Sequence, residues 1–123
     1  MKRFIVKNTD SYGEKSFEKV EGTLLKEKDQ LIYRYMSKLG ECELVVTSKR
    51  VVISRKGEIS TIIDVDLENM TEFNYITREM RKIFKIQGES INIDEANSLV
   101  EFSYKIYEAN EMLNRITIGI KSY

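Results

Sequence analysis

The chain has 123 residues, a length typical of one domain, and 41% of them are hydrophobic while 33% are charged. Its 20 lysines and arginines balance its 20 aspartates and glutamates, so it lacks the basic surplus typical of proteins that bind duplex nucleic acid. There is no histidine and only one cysteine, Cys42. This composition excludes an intrachain disulfide, argues against a zinc site, and predicts no cofactor and no catalytic residue.

The first twenty residues are predicted to be an extension that precedes the main domain, residues 21–123. Residues 3–7 have the pattern of a short strand, and residues 8–15 are rich in turn formers, which indicates a flexible turn. The N-terminal stretch has no apolar run of signal-peptide length, and no other run approaches the ~20 residues of a membrane span. Together with the single cysteine, this predicts a cytoplasmic protein.

From Leu31 onward, short apolar segments with period two alternate with turn signals, which predicts an antiparallel meander. Residues 70–82 fit either a helix or a strand, and the Thr, Phe, Tyr and Ile at their centre favour a strand. The predicted strands are residues 31–36, 43–47, 50–54, 59–67, 83–86, 90–93 and 99–105.

The end of the chain changes its period. Ile106, Ala109, Leu113, Ile116 and Ile120 are separated by three or four residues, which is the spacing of one apolar stripe on a helix. The sequence therefore predicts a mainly β domain that is closed by a single C-terminal amphipathic helix, with the stripe packed into the core.

Residues 43–53 consist of two apolar strands joined by Thr47-Ser48-Lys49-Arg50, and they resemble the bacterial pleckstrin-homology-like families. Residues 63–70 and 102–104 resemble later strands of those families, so the resemblance extends over residues 24–120. It implies an antiparallel β-sandwich or barrel capped by a C-terminal helix. It also implies a non-catalytic domain, because most members bind proteins or, in some eukaryotic relatives, inositol phospholipids.

The resemblance places candidate ligand-binding residues in the strand and loops that contact lipid head groups in those relatives. The corresponding residues of this chain are Arg34, Lys38, Arg55 and Lys56. Acidic residues in the same loops, such as Glu41 and Glu58, nearly cancel this positive charge. Each Lys or Arg near an anionic membrane contributes about 1 kcal/mol of attraction, so a patch whose charges cancel would not hold the protein there. This favours a protein partner or self-association over a membrane lipid.

Two other constellations have both a functional and a simple structural interpretation. Arg78, Arg81 and Lys82 could contact phosphate, but a solvated strand or turn is favoured. Asp64 and Asp66 share one face of a strand and could act as an acid–base pair or bind a cation. Strand alternation favours a solvent-facing position for both, and the sequence predicts no metal site.

The leading functional hypothesis is a non-catalytic binding or scaffold module that acts through protein contacts and could self-associate. An exposed strand edge is the natural docking surface for such a module. One alternative is a membrane-surface module that recognises anionic lipid head groups through Lys38, Arg55 and Lys56. Another is a small immunity or antitoxin-like protein. No nucleic-acid partner and no small-molecule substrate are predicted.

Overall fold

A computed structural model describes residues 1–58 and 60–123 of the chain, and these residues contain ten strands and no helix. The predicted mainly β character is confirmed, and every predicted strand segment overlaps an observed strand. Of the predicted strand 59–67, Ile59 lies outside the described residues. The strands are β1 (Lys2–Asp10), β2 (Lys15–Lys26), β3 (Leu31–Ser37), β4 (Gly40–Val46), β5 (Arg50–Lys56), β6 (Thr61–Asp66), β7 (Thr71–Ile76), β8 (Arg81–Asp94), β9 (Leu99–Glu108) and β10 (Glu111–Ser122).

The ten strands form one antiparallel sheet in the order β6-β5-β4-β3-β2-β1-β10-β9-β8-β7. Each strand pairs with its neighbours in the chain except β6 with β7, and β1 also pairs with β10, so the meander curls into a nearly closed barrel. Its two free edges, β6 and β7, are consecutive in the chain and lie side by side without a ladder. We call this break in the ladder the seam.

The predicted C-terminal helix is wrong, because residues 106–123 form the end of β9, a two-residue turn and β10. Ala109 lies in that turn with a φ of 55°, and the register of β10 shifts between Met112 and Asn114. A turn and a β-bulge interrupt the period of two, so apolar residues recur after three or four positions without a helix. Ile118 lies off the helical stripe but packs against the core, as an alternating strand requires.

Residues 1–20, predicted as an extension, form β1 and the first part of β2 in the structure. β1 lies between β2 and β10, and its Phe4 side chain is fully buried, with its ring 5.4 Å from that of Tyr33. The predicted flexible stretch begins within β1, and its turn is held by the Asp10 carboxylate, which accepts hydrogen bonds from the backbone N–H groups of Tyr12 and Glu14. Residues 71–76 are strand, as favoured from the sequence.

The core fills one end of the barrel, which we call the lower end. Here the interior is made of large apolar side chains with almost no exposure, among them Phe4, Leu44, Val65, Phe102 and Ile120. β8 also closes this end from the side. A Cβ added at Gly88 would lie 2.6 Å from the Asp66 carbonyl oxygen, so the missing side chain lets β8 pass directly against the end of β6.

The upper end is built from the β1–β2, β3–β4, β5–β6, β7–β8 and β9–β10 connections, and its interior is more open and more polar. The strands bring Glu18, Tyr35, Arg55, Tyr75 and Tyr104 to the inward face at this end. All but Tyr104 are only half-buried, which contrasts with the dry lower end.

Candidate functional site

The seam runs between β6 and β7, and the structure joins these two strands only near their lower ends. There the Thr71 hydroxyl donates a hydrogen bond to the Asp64 carbonyl. Neither strand has a ladder partner on the side that faces the other. The backbone polar groups on the seam side of both strands, above this hydrogen bond, are therefore available to an added strand.

A cleft of about 920 Å³ lies on the outer surface along the seam, and we call it the seam cleft. Its apolar lining includes Met36 and Ile62, which are 59% and 64% exposed. Its polar lining includes Glu41, Lys56 and Asn74. The cleft thus combines two free strand edges with exposed apolar side chains and charges of both signs.

A second cleft, of about 540 Å³, opens at the upper end of the barrel, and we call it the mouth cleft. It is lined by Lys38 and Leu39 of the β3–β4 turn, by Glu58, and by Tyr75 of β7. The two clefts meet, because Arg55 and Thr61, together with two glycines, line both.

One of these glycines, Gly40, brings the β3–β4 turn against the β5–β6 turn at the junction of the clefts. Its φ is +128°, and a Cβ on it would lie 2.1 Å from the Lys56 carbonyl oxygen. Only glycine fits this close approach of two backbones. The two turns therefore form one continuous wall beside Arg55.

Arg55 projects from β5 toward the barrel interior, on the same face as the buried Val51 and Ile53. It pairs across the sheet with Cys42 of β4 and Thr61 of β6. Its Nε atom is buried and has no hydrogen-bond partner among residues 1–58 and 60–123. None of the ion pairs formed among the described residues includes Arg55.

The positive charge of Arg55 lowers the pKa of two inward tyrosines, against the larger effect of burial. Burial raises the pKa of the Tyr35 phenol, the nearby Cys42 thiol raises it further, and the guanidinium of Arg55 opposes the rise. Burial raises the pKa of Tyr104 to about 12, and Arg55 again acts in the opposite direction. Both phenols are thus neutral, and both lie within electrostatic reach of the cation.

The four candidate residues named from the sequence do not form one patch, although Arg55 shares the seam cleft with Lys56 and the mouth cleft with Lys38. Arg34 lies on the outer face of β3, where its Nε donates to the Glu43 carboxylate at 2.7 Å. Lys56 ends β5 on the outer face and lines the seam cleft, and Lys38 is exposed in the mouth cleft. Only Arg55 turns inward.

Of the other sequence constellations, Lys82 pairs with Tyr75 on the inward face and donates to the Glu108 carboxylate at 3.2 Å, whereas Asp64 and Asp66 lie on the outside of the sheet. Arg50 donates from Nε and Nη2 to the two carboxylate oxygens of Asp64, so this aspartate neutralises a neighbouring charge. The Asp66 carboxylate accepts the backbone N–H groups of Glu68 and Asn69, which lowers its pKa. In the part of the chain that the structure describes, no group of three or more Cys, Asp or Glu residues could hold a metal ion.

Sequence reasoning missed the interior tyrosines and the seam. Alternation along β3 and β9 could have placed Tyr35 and Tyr104 on the face of Tyr33 and Phe102, which is the apolar one. No local signal could have located the seam, because β6 and β7 each have the pattern of an ordinary strand.

The fold resembles that of a solved protein, ywiB from Bacillus subtilis, with a TM-score of 0.69. The match covers 99% of this chain and 91% of that chain at 17% sequence identity, a level at which the likeness concerns the fold alone. No family model and no curated protein matches the chain. The described residues include no helix that is long and apolar enough to cross a membrane.

Proposed function

We propose that this chain is a non-catalytic, cytoplasmic binding module that takes up an extended segment of a partner protein at the seam between β6 and β7. The observation that carries the proposal is the pair of free strand edges that face a cleft of about 920 Å³. An extended peptide that adds to a free edge gains main-chain hydrogen bonds, and alternate side chains reach neighbouring pockets.

The direction of the β6 backbone supports this docking mode. The Leu67 N–H donates to the Lys49 carbonyl, so Leu67 points its backbone groups toward the β5 side. The Asp64 carbonyl instead accepts the Thr71 hydroxyl on the seam side. Because these groups alternate along a strand, Ile62, Asp64 and Asp66 present their N–H and C=O groups to the seam.

The same reasoning applies to β7. The Thr77 N–H donates to the Met80 carbonyl across the β7–β8 turn, so the backbone of Thr77 faces β8. By alternation, Glu72, Asn74 and Ile76 turn their backbone groups toward the seam. Both walls of the seam therefore offer donors and acceptors that an extended segment can pair.

The side chains around the seam add specificity to this backbone recognition. Met36 and Ile62 offer apolar contacts for alternate side chains of the docked segment. Glu41, Lys56 and Glu72 carry both signs of charge, which fits a segment of mixed charge.

Replacing Ile62 with proline is the sharpest test. Proline removes the seam-facing N–H of residue 62, while the ladder to β5 uses the neighbouring residues and stays intact. We expect peptides selected from a displayed random library on the unmodified chain to bind Ile62→Pro at least about tenfold more weakly, because hydrogen bonds and close contact at the edge are lost.

Ile62→Ala is the matched control, since it removes the same side chain but keeps the N–H. It should retain the larger part of the affinity. Peptides that bind Ile62→Pro as tightly as the unmodified chain would show that the seam is not the docking edge. Light scattering of both variants would show whether a second copy of the chain takes the place of the peptide. The membrane-surface and immunity-protein alternatives stay predictions.

A further inference from the structure

We propose that the upper end of the barrel is a second binding site, which meets the seam cleft at Arg55 but does not use the free edges of β6 and β7, for a small organic molecule that carries one carboxylate on an apolar or aromatic body. Arg55 is the residue that anchors the carboxylate. The inference rests on the surroundings of this arginine, the access to it, and the charges at the mouth.

The bonding of Arg55 differs from that of the other well-placed arginines. The Nε atoms of Arg34, Arg50 and Arg115 each donate to a carboxylate, at 2.7, 2.8 and 2.6 Å. The Nε of Arg55 is buried, and no described residue is its hydrogen-bond partner. A buried donor on a charged group is costly to leave unpaired, so its retention in the interior points to a partner that enters from outside.

The position of Arg55 gives such a partner access. The mouth cleft and the seam cleft, of about 540 and 920 Å³, meet at this residue. A small molecule can therefore reach the guanidinium from the open end of the barrel without displacing the apolar core. Ligand sites are common in the mouths of barrels for this reason.

The chemistry around Arg55 selects the class of ligand. The planar guanidinium matches a carboxylate with two parallel hydrogen bonds. Leu39 and Tyr75 line the mouth cleft beside Arg55, so its walls suit an apolar or aromatic body.

The charges at the mouth favour a single negative charge over several. Lys38, Arg55 and Glu58 are the charged residues that line the mouth cleft, which leaves one positive charge in excess. The Glu18 carboxylate faces the same end and already accepts the backbone N–H of Lys38 at 2.9 Å. A polyphosphate would meet these two acids, whereas a monocarboxylate is neutralised by Arg55 alone.

Titration of the full chain with benzoate tests the proposal, and benzyl alcohol serves as the neutral analogue. We expect calorimetry and amide NMR to detect benzoate binding centred on the β3–β4 turn, β5 and β7. Arg55→Gln should weaken it at least about tenfold, as expected for loss of a charge-assisted pair. Arg34→Gln, an outward arginine, should leave it unchanged, and so should Ile62→Pro, which separates this site from the seam.

Two further measurements guard against misinterpretation. Arg55→Lys keeps the charge without the planar fork and should bind benzoate with intermediate affinity. Arg55→Met should melt no lower than the unmodified chain, because it removes an unpartnered buried donor. A lower melting temperature of Arg55→Met would assign Arg55 a structural role and overturn the proposal. It would also be overturned by benzoate binding that survives Arg55→Gln, by equal binding of benzyl alcohol, or by no binding of benzoate.

Discussion

The barrel interior holds buried tyrosines where a drier core would hold only apolar side chains. Tyr33 is 2% exposed and Tyr104 is 4% exposed, and burial raises the pKa of both phenols. Burial disfavours the charged phenolate, so these residues stay neutral over the physiological range. Their effect on stability therefore emerges only at alkaline pH.

Tyr104→Phe tests this effect. The pKa of Tyr104 is about 12 in the folded chain against 10.0 for an ordinary tyrosine, so the unfolded chain releases this proton first. The stability that the neutral phenol supplies is complete below pH 10 and is lost as pH rises toward 12. The whole loss is on the order of 3 kcal/mol at 1.36 kcal/mol per pKa unit.

We expect Tyr104→Phe to lose less unfolding free energy than the unmodified chain between pH 10 and 12, as measured by urea denaturation. The difference in unfolding free energy between the two chains at about pH 7 is the baseline. Identical losses in the two chains would contradict the burial of this phenol.

At the scale of the element, the C-terminal strand shows how a local pattern can mislead. Ile106 and Ile120 do face the core, as the predicted helix required, but they belong to different strands. In β10, Ile116, Ile118 and Ile120 share the inward face, and all three are β-branched. The turn at Ala109 and the bulge after Met112 hid this alternation.

Ile118→Ala distinguishes the strand from the helix. Ile118 packs against the core in the strand but would lie off the apolar stripe of a helix. We expect the substitution to lower the free energy of unfolding by about 2 kcal/mol, since part of a buried side chain is lost. Lys121→Ala, at an exposed position of the same strand, is the control and should change it by less than about 0.5 kcal/mol. Equal effects of the two variants would contradict the strand.

At the scale of the whole molecule, the barrel depends on the pairing of its first and last strands. β1 lies between β2 and β10, and its Phe4 is fully buried against Tyr33. Pairing of the first and last strands brings together residues that are far apart in the chain. It therefore costs the chain conformational entropy and slows folding. The N-terminal residues are therefore essential to the closed sheet.

Phe4→Ala measures that dependence. We expect it to lower the free energy of unfolding by about 3–5 kcal/mol, the usual cost of truncating a buried phenylalanine. Phe17→Ala is the matched control, because Phe17 lies in the same N-terminal segment but is 68% exposed. If both variants kept the stability of the unmodified chain, residues 1–20 would be an extension, as the sequence suggested. Chemical denaturation followed by circular dichroism makes the comparison.

The candidate site was predictable only in part. Arg55 was named from the sequence as a candidate, together with Arg34, Lys38 and Lys56, but as a member of a loop rim. Strand alternation after Val51 and Ile53 turns its side chain inward, while Lys56 turns outward. The sequence could not show that no described carboxylate forms an ion pair with it, because its surroundings include β3 and β9 as well as the adjacent strands β4 and β6.

The sequence by itself determined the mainly β character and most of the strand positions, because period-two apolar segments and turn residues are local properties. Only the tertiary structure decided that β10 is a strand, that β1 closes the sheet, and where the ladder breaks. The choice between strand and helix at residues 106–123 depends on cross-strand partners as well as spacing. The seam exists because β1 pairs with β10 while β6 and β7 form no ladder with each other, which no local segment encodes.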